Sequence, residues 1–284
     1  MEVAITVDDL PGGEQANNIS RSMVSEEMLT VFKKHHINHV YGMMNGSKIT
    51  NKQDLKLLQD WIAKGNLLGN HTYSHMDLSK VTAEKFISDI KRNEILLMKL
   101  MGNKDYKYFR FPYLAEGNTK NKRDRVRQFL TNNHYKIAPV TVDFFDYEWN
   151  EPYIRCSNIK DKKSVDWLKE SYLEQSLNAL IIAHELSMML FKRDIKNILL
   201  IHINGLSVST LDSLLTAYEK RGIKFISLPD ALSDPVYKVN PGIVRDRSYT
   251  FLNQIRLSRH LKNPKIVDKL YDMLPEGELE KLCR

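Results

Sequence analysis

Two carboxylates side by side, Asp8 and Asp9, close an apolar run over residues 3–7 and are followed at once by Leu10-Pro11-Gly12-Gly13, a forced turn. Acids so placed can divide work. One binds a metal ion, and its neighbour, kept ionised by that positive charge, takes a proton from water. Asp also opens turns and caps helices, so the pair by itself is a weak signal. A second short run, residues 66–70, ends in His71-Thr72-Tyr73-Ser74-His75, where two imidazoles four positions apart can face one point. With one carboxylate they make an open three-ligand site. Two nitrogens and one oxygen suit Zn²⁺, the first choice, and Co²⁺, Ni²⁺ or Mn²⁺ can use the same ligands. The histidines at His35, His36, His39, His134, His184 and His260 read as helix and surface residues.

The elements that must position these groups follow from periodicity. Residues 3–7, 38–43, 66–70, 108–111, 135–142, 198–202 and 224–227 read as strands. Helical periodicity runs through 24–34, 53–64, 83–101, 120–132, 165–190 and 210–221, with Gly65 and Gly222 where C′ glycines end two of the helices. Such alternation predicts a parallel α/β sheet, closed into a barrel or open and doubly wound, with functional residues at the carboxyl ends of the strands in either case. After Pro235 the pattern changes to Pro- and Arg-containing connections with short helices over 249–261 and 264–274, an appendage packed on the barrel.

The chain has 284 residues, a length that suits one α/β barrel as well as two small domains. Its formal net charge of +7 comes from Lys and Arg scattered through the helices, which argues for a solvated basic surface with some attraction to anionic polymers rather than for a nucleic-acid site. Cys156 and Cys283 are far apart with no CxxC or Cys/His cluster, which argues against a disulfide framework and against a structural zinc site and leaves a single long-range disulfide as the disfavoured alternative. No run approaches the length of a membrane span, and the first residues lack the charged and apolar regions of a signal peptide. The chain as given reads as soluble, as periplasmic or secreted if a longer precursor carries an export signal and as cytoplasmic otherwise.

Three more strand ends carry chemistry: Phe109-Arg110-Phe111-Pro112-Tyr113, then Asp143-Phe144-Phe145-Asp146-Tyr147 with Trp149 after it, and last Leu199-Leu200-Ile201-His202-Ile203-Asn204. The five segments together resemble, in order and spacing, the five motifs of the polysaccharide deacetylase family, the fourth family of carbohydrate esterases with a NodB-type domain. Thr6-Val7-Asp8-Asp9-Leu10-Pro11 with His202-Ile203-Asn204 is similar to a bacterial subgroup of it. The resemblance implies a distorted (β/α)7 barrel over 1–235, leaving 236–284 as a helical C-terminal extension. It also implies a metal-dependent hydrolase that removes N-acetyl groups from an amino sugar or polysaccharide. Carried across, it makes Asp8 the base, Asp9, His71 and His75 the metal ligands, and His202 the general acid. Arg110 would hold the base, Asp143 or Asp146 would orient His202, the Tyr113 backbone N–H would stabilise the oxyanion, and Leu200 with Trp149 would line the pocket for the acetyl methyl.

This chain departs from the family pattern in having Val7 where most members have Phe, Phe111 where many have Pro, and Tyr147 where many have Trp. These changes spare the catalytic groups and alter the cleft wall. Glu116 and Asn204 sit beside motif residues and touch substrate or serve as structural hydrogen-bonding groups, and Phe144, Phe145 and Tyr147 stack on a sugar face or pack the barrel rim. The competing functional readings are a hydrolase of a non-sugar amide or of O-acetyl esters on the same barrel, and an inactive glycan-binding protein.

Overall fold

The computed structural model describes residues 1–13, 15–17, 19–244 and 249–284. Strands and helices alternate as β1 Glu2–Leu10, α1 Arg21–Lys34, β2 Tyr41–Met44, α2 Lys52–Ala63, β3 Leu67–Asn70, α3 Ala83–Met101, β4 Tyr108–Phe109, α4 Lys120–Asn132 and β5 Lys136–Ile137. They continue as α5 Asn150–Asn158, α6 Lys162–Phe191, β6 Lys196–His202, α7 Gly205–Lys220, β7 Lys224–Ile226 and α8 Leu228–Leu232, and end in α9 Phe251–Ser258, α10 Lys265–Tyr271 and α11 Glu276–Lys281. All seven strands expected from the sequence are present. The helix starts are set by side chains that accept from the first turn: Ser20, Asn51, Thr82, Thr119, Asp161 and Asn204 each cap the helix that follows. Gly65 and Gly222 take φ of +89° and +72° just past α2 and α7, the left-handed conformation that ends a helix cheaply only with glycine.

Every strand pair is parallel, in the order β5-β4-β3-β2-β1-β6. One edge of β1 is taken from Glu2 to Asp8 by β6. The other is shared, β7 pairing with its first residues and β2 with the rest. The sheet curls: beyond β5 the chain reaches β6 through a parallel bridge between Val142 and Leu199. This is the α/β barrel architecture with a helical C-terminal extension. Helices cover the outside, and the main core of buried side chains lies between them and the strands, with Val3, Ile5 and Val7 of β1 meeting Leu199 and Ile201 of β6.

Several details differ from the expectation. The fifth strand is two residues rather than the run over 135–142, because Pro139 has no N–H to extend a ladder. The carbonyl of Val140 instead accepts from the Phe251 N–H at 2.7 Å, so the C-terminal extension is stitched into the gap between β5 and β6. Helix α5, Asn150–Asn158, is an element the sequence reading did not assign. Above all, Cys156 on α5 and Cys283 near the chain end are joined by a disulfide across a separation of 127 positions. Sequence distance says nothing about approach across a fold, and the single long-range disulfide that the sequence left open but disfavoured is the one that forms.

Candidate active site

Asp8 and Asp9 lie inside β1, not after it. Consecutive side chains of a regular strand point to opposite faces, which would send one carboxylate away from the cleft. The register of β1 against β2 slips between Asp8 and Leu10, and Asp9 sits at the slip with φ of +75°. This bulge lets both carboxyls line one cavity of about 360 Å³ at the carboxyl ends of the strands. Thr72, His75, Tyr113, Leu114 and Phe145 also hold positive φ, so left-handed non-glycine backbone clusters at this cavity.

The pairing of β3 with β4 brings His71 beside Arg110. The His71 Nδ1 lies 2.9 Å from the Arg110 carbonyl oxygen. A carbonyl only accepts, so Nδ1 carries the proton and Nε2 keeps a lone pair. Burial holds the imidazole neutral, its pKa pushed down to about 3. His75 is pushed down to about 4, by burial first and by His71 second. Their Nε2 atoms lie 3.9 and 3.5 Å from Oδ1 of Asp9, too far for hydrogen bonds, and that buried oxygen has no hydrogen-bond partner among the described residues. The three ligand atoms fall within 4.8 Å of one another. Ions that bind N and O donors at about 2.0–2.2 Å place such donors about 3.3–3.6 Å apart in a tetrahedral shell. An orphaned carboxylate oxygen facing two imidazole lone pairs is the donor set that fits a divalent metal.

Lys48, which sequence reading passed over, occupies the other oxygen of Asp9 at 2.9 Å. It stands on the turn after β2. Burial raises the pKa of Asp9, and Lys48, followed by the histidines, overcomes that effect and holds the carboxyl well below the usual range. Only a spatial neighbour could have pointed to it, since an isolated Lys after a Gly-Ser turn carries no motif.

Asp8 is 2% exposed, and burial pushes its pKa above the ordinary carboxylate value against the pull of Arg110. The Arg110 guanidinium is itself buried. Its Nε donates to the Ala138 carbonyl at 2.5 Å and its Nη2 to the Thr6 hydroxyl at 2.9 Å, while Nη1 stands 3.4 Å from each Asp8 oxygen. That last separation exceeds the roughly 2.7–2.9 Å of a strong charge-assisted bond, so Arg110 acts on Asp8 chiefly as a nearby charge.

His202 ends β6, in register with Asp8. Of the two acids expected to orient it, Asp146 does so. Its Oδ1 meets His202 Nδ1 at 2.6 Å and its Oδ2 accepts from the His202 backbone N–H at 2.7 Å. Ser207 also donates to Oδ2, at 3.2 Å. Burial lowers the pKa of His202, but Asp146 outweighs it and raises the value to about 10. Asp143 accepts from the Phe145 N–H at 2.8 Å, is pushed up to about 6 by burial, and makes no hydrogen bond to His202 among the described residues.

The apolar wall contains Leu200 with Phe145 and Tyr147, and Tyr113 borders the His75 ring edge-on at 4.5 Å. Trp149 is a correction. It is 1% exposed, sits among Phe144 and Tyr172, and donates its indole N–H to Ser171 at 2.8 Å, so it belongs to the core behind the cleft rather than to its lining. Tyr147, half exposed and edge-on to His202 at 5.6 Å, is the aromatic that lines this part of the cleft. Glu116 accepts from Arg127 at 2.5 and 2.7 Å, and Asn204 caps α7, contacts that support the structural reading of both.

Residues 1–135 match the family model described as polysaccharide deacetylase. A peptidoglycan-N-acetylglucosamine deacetylase of Bacillus cereus is 24% identical over 233 residues, covering 80% of this chain and 67% of that protein. A chitin deacetylase of Arthroderma benhamiae is 27% identical over 127 residues, 44% of this chain and 32% of its own. This chain thus spans from about a third to two thirds of these relatives. Among solved structures, a carbohydrate esterase family 4 pseudoenzyme from Bacillus anthracis shares the fold at a TM-score of 0.54 and 17% identity, over 81% of this chain and 65% of that one.

Proposed function

We propose that this chain, which belongs through residues 1–135 to the polysaccharide deacetylase family, removes acetyl groups from the nitrogen of an N-acetylated amino sugar or polysaccharide, with Zn²⁺ as the first-choice ion on Asp9, His71 and His75. The observation that carries the reading is the buried Oδ1 of Asp9, without a hydrogen-bond partner among the described residues, facing two neutral imidazoles in a cavity that Asp8 and His202 also line. A bound divalent ion supplies Lewis-acid polarisation and a lowered pKa for water at this point.

The chain's own groups do the rest. Asp8 takes the proton of the attacking water, whose oxygen bonds to the acetamide carbon, and the nearby Arg110 charge favours its ionised form against the effect of burial. The Tyr113 backbone N–H serves the developing oxyanion. His202, held protonated by Asp146, gives its proton to the amine as the C–N bond breaks, and acetate and a free amino sugar leave. Leu200, Phe145 and Tyr147 exclude water around the methyl group. Relatives named for peptidoglycan and chitin substrates support N-acetylglucosamine units as the substrate class.

The test is acetate release from N-acetylglucosamine oligomers by protein stripped of metal and then reloaded with Zn²⁺ or Co²⁺, beside Asp8→Asn. Release that requires metal and falls by about 10²–10⁴-fold in the variant is the expected outcome. Tight metal binding without release from any sugar would move the search to other amides and to O-acetyl esters, and would fit an inactive glycan-binding protein.

A further inference from the structure

A second cavity of about 360 Å³ adjoins the catalytic one, with Asp143 and Phe145 lining both. Its other wall is built by the C-terminal extension, which the catalytic reading leaves without a role. Arg256 on α9, Asn263, Tyr271 on α10 and Glu276 on α11 all line it. The volume falls within the roughly 300–1,000 Å³ of small-molecule sites.

The extension is fastened as a wall would be. The Cys156–Cys283 disulfide ties its end to α5, Arg155 donates from Nη2 to the carbonyls of Leu279 and Leu282 at 3.1 and 3.0 Å, and Gln175 donates to Met273 at 3.0 Å. Its polar groups are only partly satisfied from within. Asn263 donates to Asp268 at 2.7 Å, but its own buried Oδ1 has no partner among the described residues. Arg256 uses Nε on Asn253 and Nη1 on the Leu261 carbonyl, and its Nη2 has no hydrogen bond among the described residues. Glu276 lines the same cavity without an ion pair to Arg256. A cavity that offers a guanidinium donor, a carboxylate acceptor and an amide beside the Tyr271 and Phe145 rings suits a ligand whose hydroxyl and amide groups both donate and accept. Two carboxylates, Asp143 and Glu276, against the single Arg256 guanidinium on its walls disfavour an acidic ligand.

We propose that the C-terminal extension forms a second sugar subsite, which holds an uncharged unit of the same glycan next to the one being deacetylated. This rests on the deacetylase reading given above. It makes the extension a determinant of substrate length.

The experiment compares the metal-loaded wild type with Glu276→Gln and Arg256→Gln on a single N-acetylglucosamine, on its pentamer and on 4-nitrophenyl acetate, a small ester too short to span both cavities. Glu276 is exposed at a helix start, so its variant tests the idea even if loss of the Arg256 contact to Leu261 impairs folding. The expected result is a KM for the pentamer raised about 5–30-fold with kcat unchanged, and turnover of the small ester as in the wild type. Unchanged pentamer kinetics, or an equal loss on all three substrates, would overturn the subsite. If the wild type releases no acetate from any sugar, the deacetylase reading fails. Calorimetric titration with the pentamer then decides the subsite: binding weakened by Glu276→Gln keeps it, and equal binding removes it.

Discussion

The cleft contains two carboxylate–histidine groupings with opposite charge states. On one side Asp9 faces His71 and His75, and burial dominates the histidines, pushing both well below the ordinary imidazole pKa and leaving them neutral with lone pairs available. On the other side Asp146 bonds His202 directly at 2.6 Å, and there the carboxylate wins over burial and keeps the ring protonated up to about pH 10. The residue types are the same. What differs is who satisfies the carboxylate: Lys48 takes Asp9 and so weakens its hold on the two imidazoles, whereas the oxygens of Asp146 converge on His202. On the proposed mechanism, a lone pair for a metal and a proton for a leaving group would be made from one pair of side chains by changing the counter-charge.

The comparison breaks most completely by truncating each histidine. His71→Ala is expected to lose bound metal and all deacetylation, while His202→Ala should keep its metal and lose about 10²–10⁴-fold in rate. Metal content by atomic emission, read beside acetate release, separates the two; equal metal loss in both variants would sink the division of labour.

A smaller effect is expected from Asp146→Asn. Asp146 raises the pKa of His202 and burial lowers it, so removing the carboxylate should move the alkaline limb of the kcat profile to lower pH, from near about 10 towards the ordinary imidazole range. The same shift has a stability counterpart with a definite sign. A raised folded-state pKa contributes stability that is fully present below about pH 6.5 and is lost as the pH climbs through about 10. Thermal melts of wild type and Asp146→Asn should therefore differ most at acid to neutral pH and converge towards pH 10; a difference that grows with pH would contradict the assignment.

The smallest change is Lys48→Met, which frees one oxygen of Asp9. Outer partners of metal ligands typically set affinity by about 10–100-fold, and about a tenfold weaker Zn²⁺ affinity is expected in competition with a chelating dye. An unchanged affinity would mean that Lys48 neutralises Asp9 without orienting it.

Much of this was legible in the chain. The period of the apolar residues fixes an alternating parallel α/β order, because a strand buried on both faces and a helix with one apolar stripe cannot be confused over such lengths. The histidine pair and the adjacent acids stand at strand ends, which is where a parallel barrel gathers its loops. The choice of Asp146 over Asp143 was not legible. Two acids three positions apart are equivalent in a sequence, and only the turn at Phe145, with its φ of +57°, sends one of them to His202. Trp149 misled for a similar reason, since an aromatic after a motif can face the cleft or the core, and the residues of α6 that receive its indole lie more than twenty positions on.

By itself the sequence determined which side chains are available and the order of the elements that carry them, since both follow from local chemistry and periodicity. The tertiary structure decided the bulge that turns Asp9 into the cleft, the Lys48 contact that lowers its pKa, the disulfide that anchors the last helices, and the cavity those helices share with Asp143. These depend on distances between residues far apart in the chain, and on burial, which sets the sign of each pKa shift only once the surrounding residues are in place.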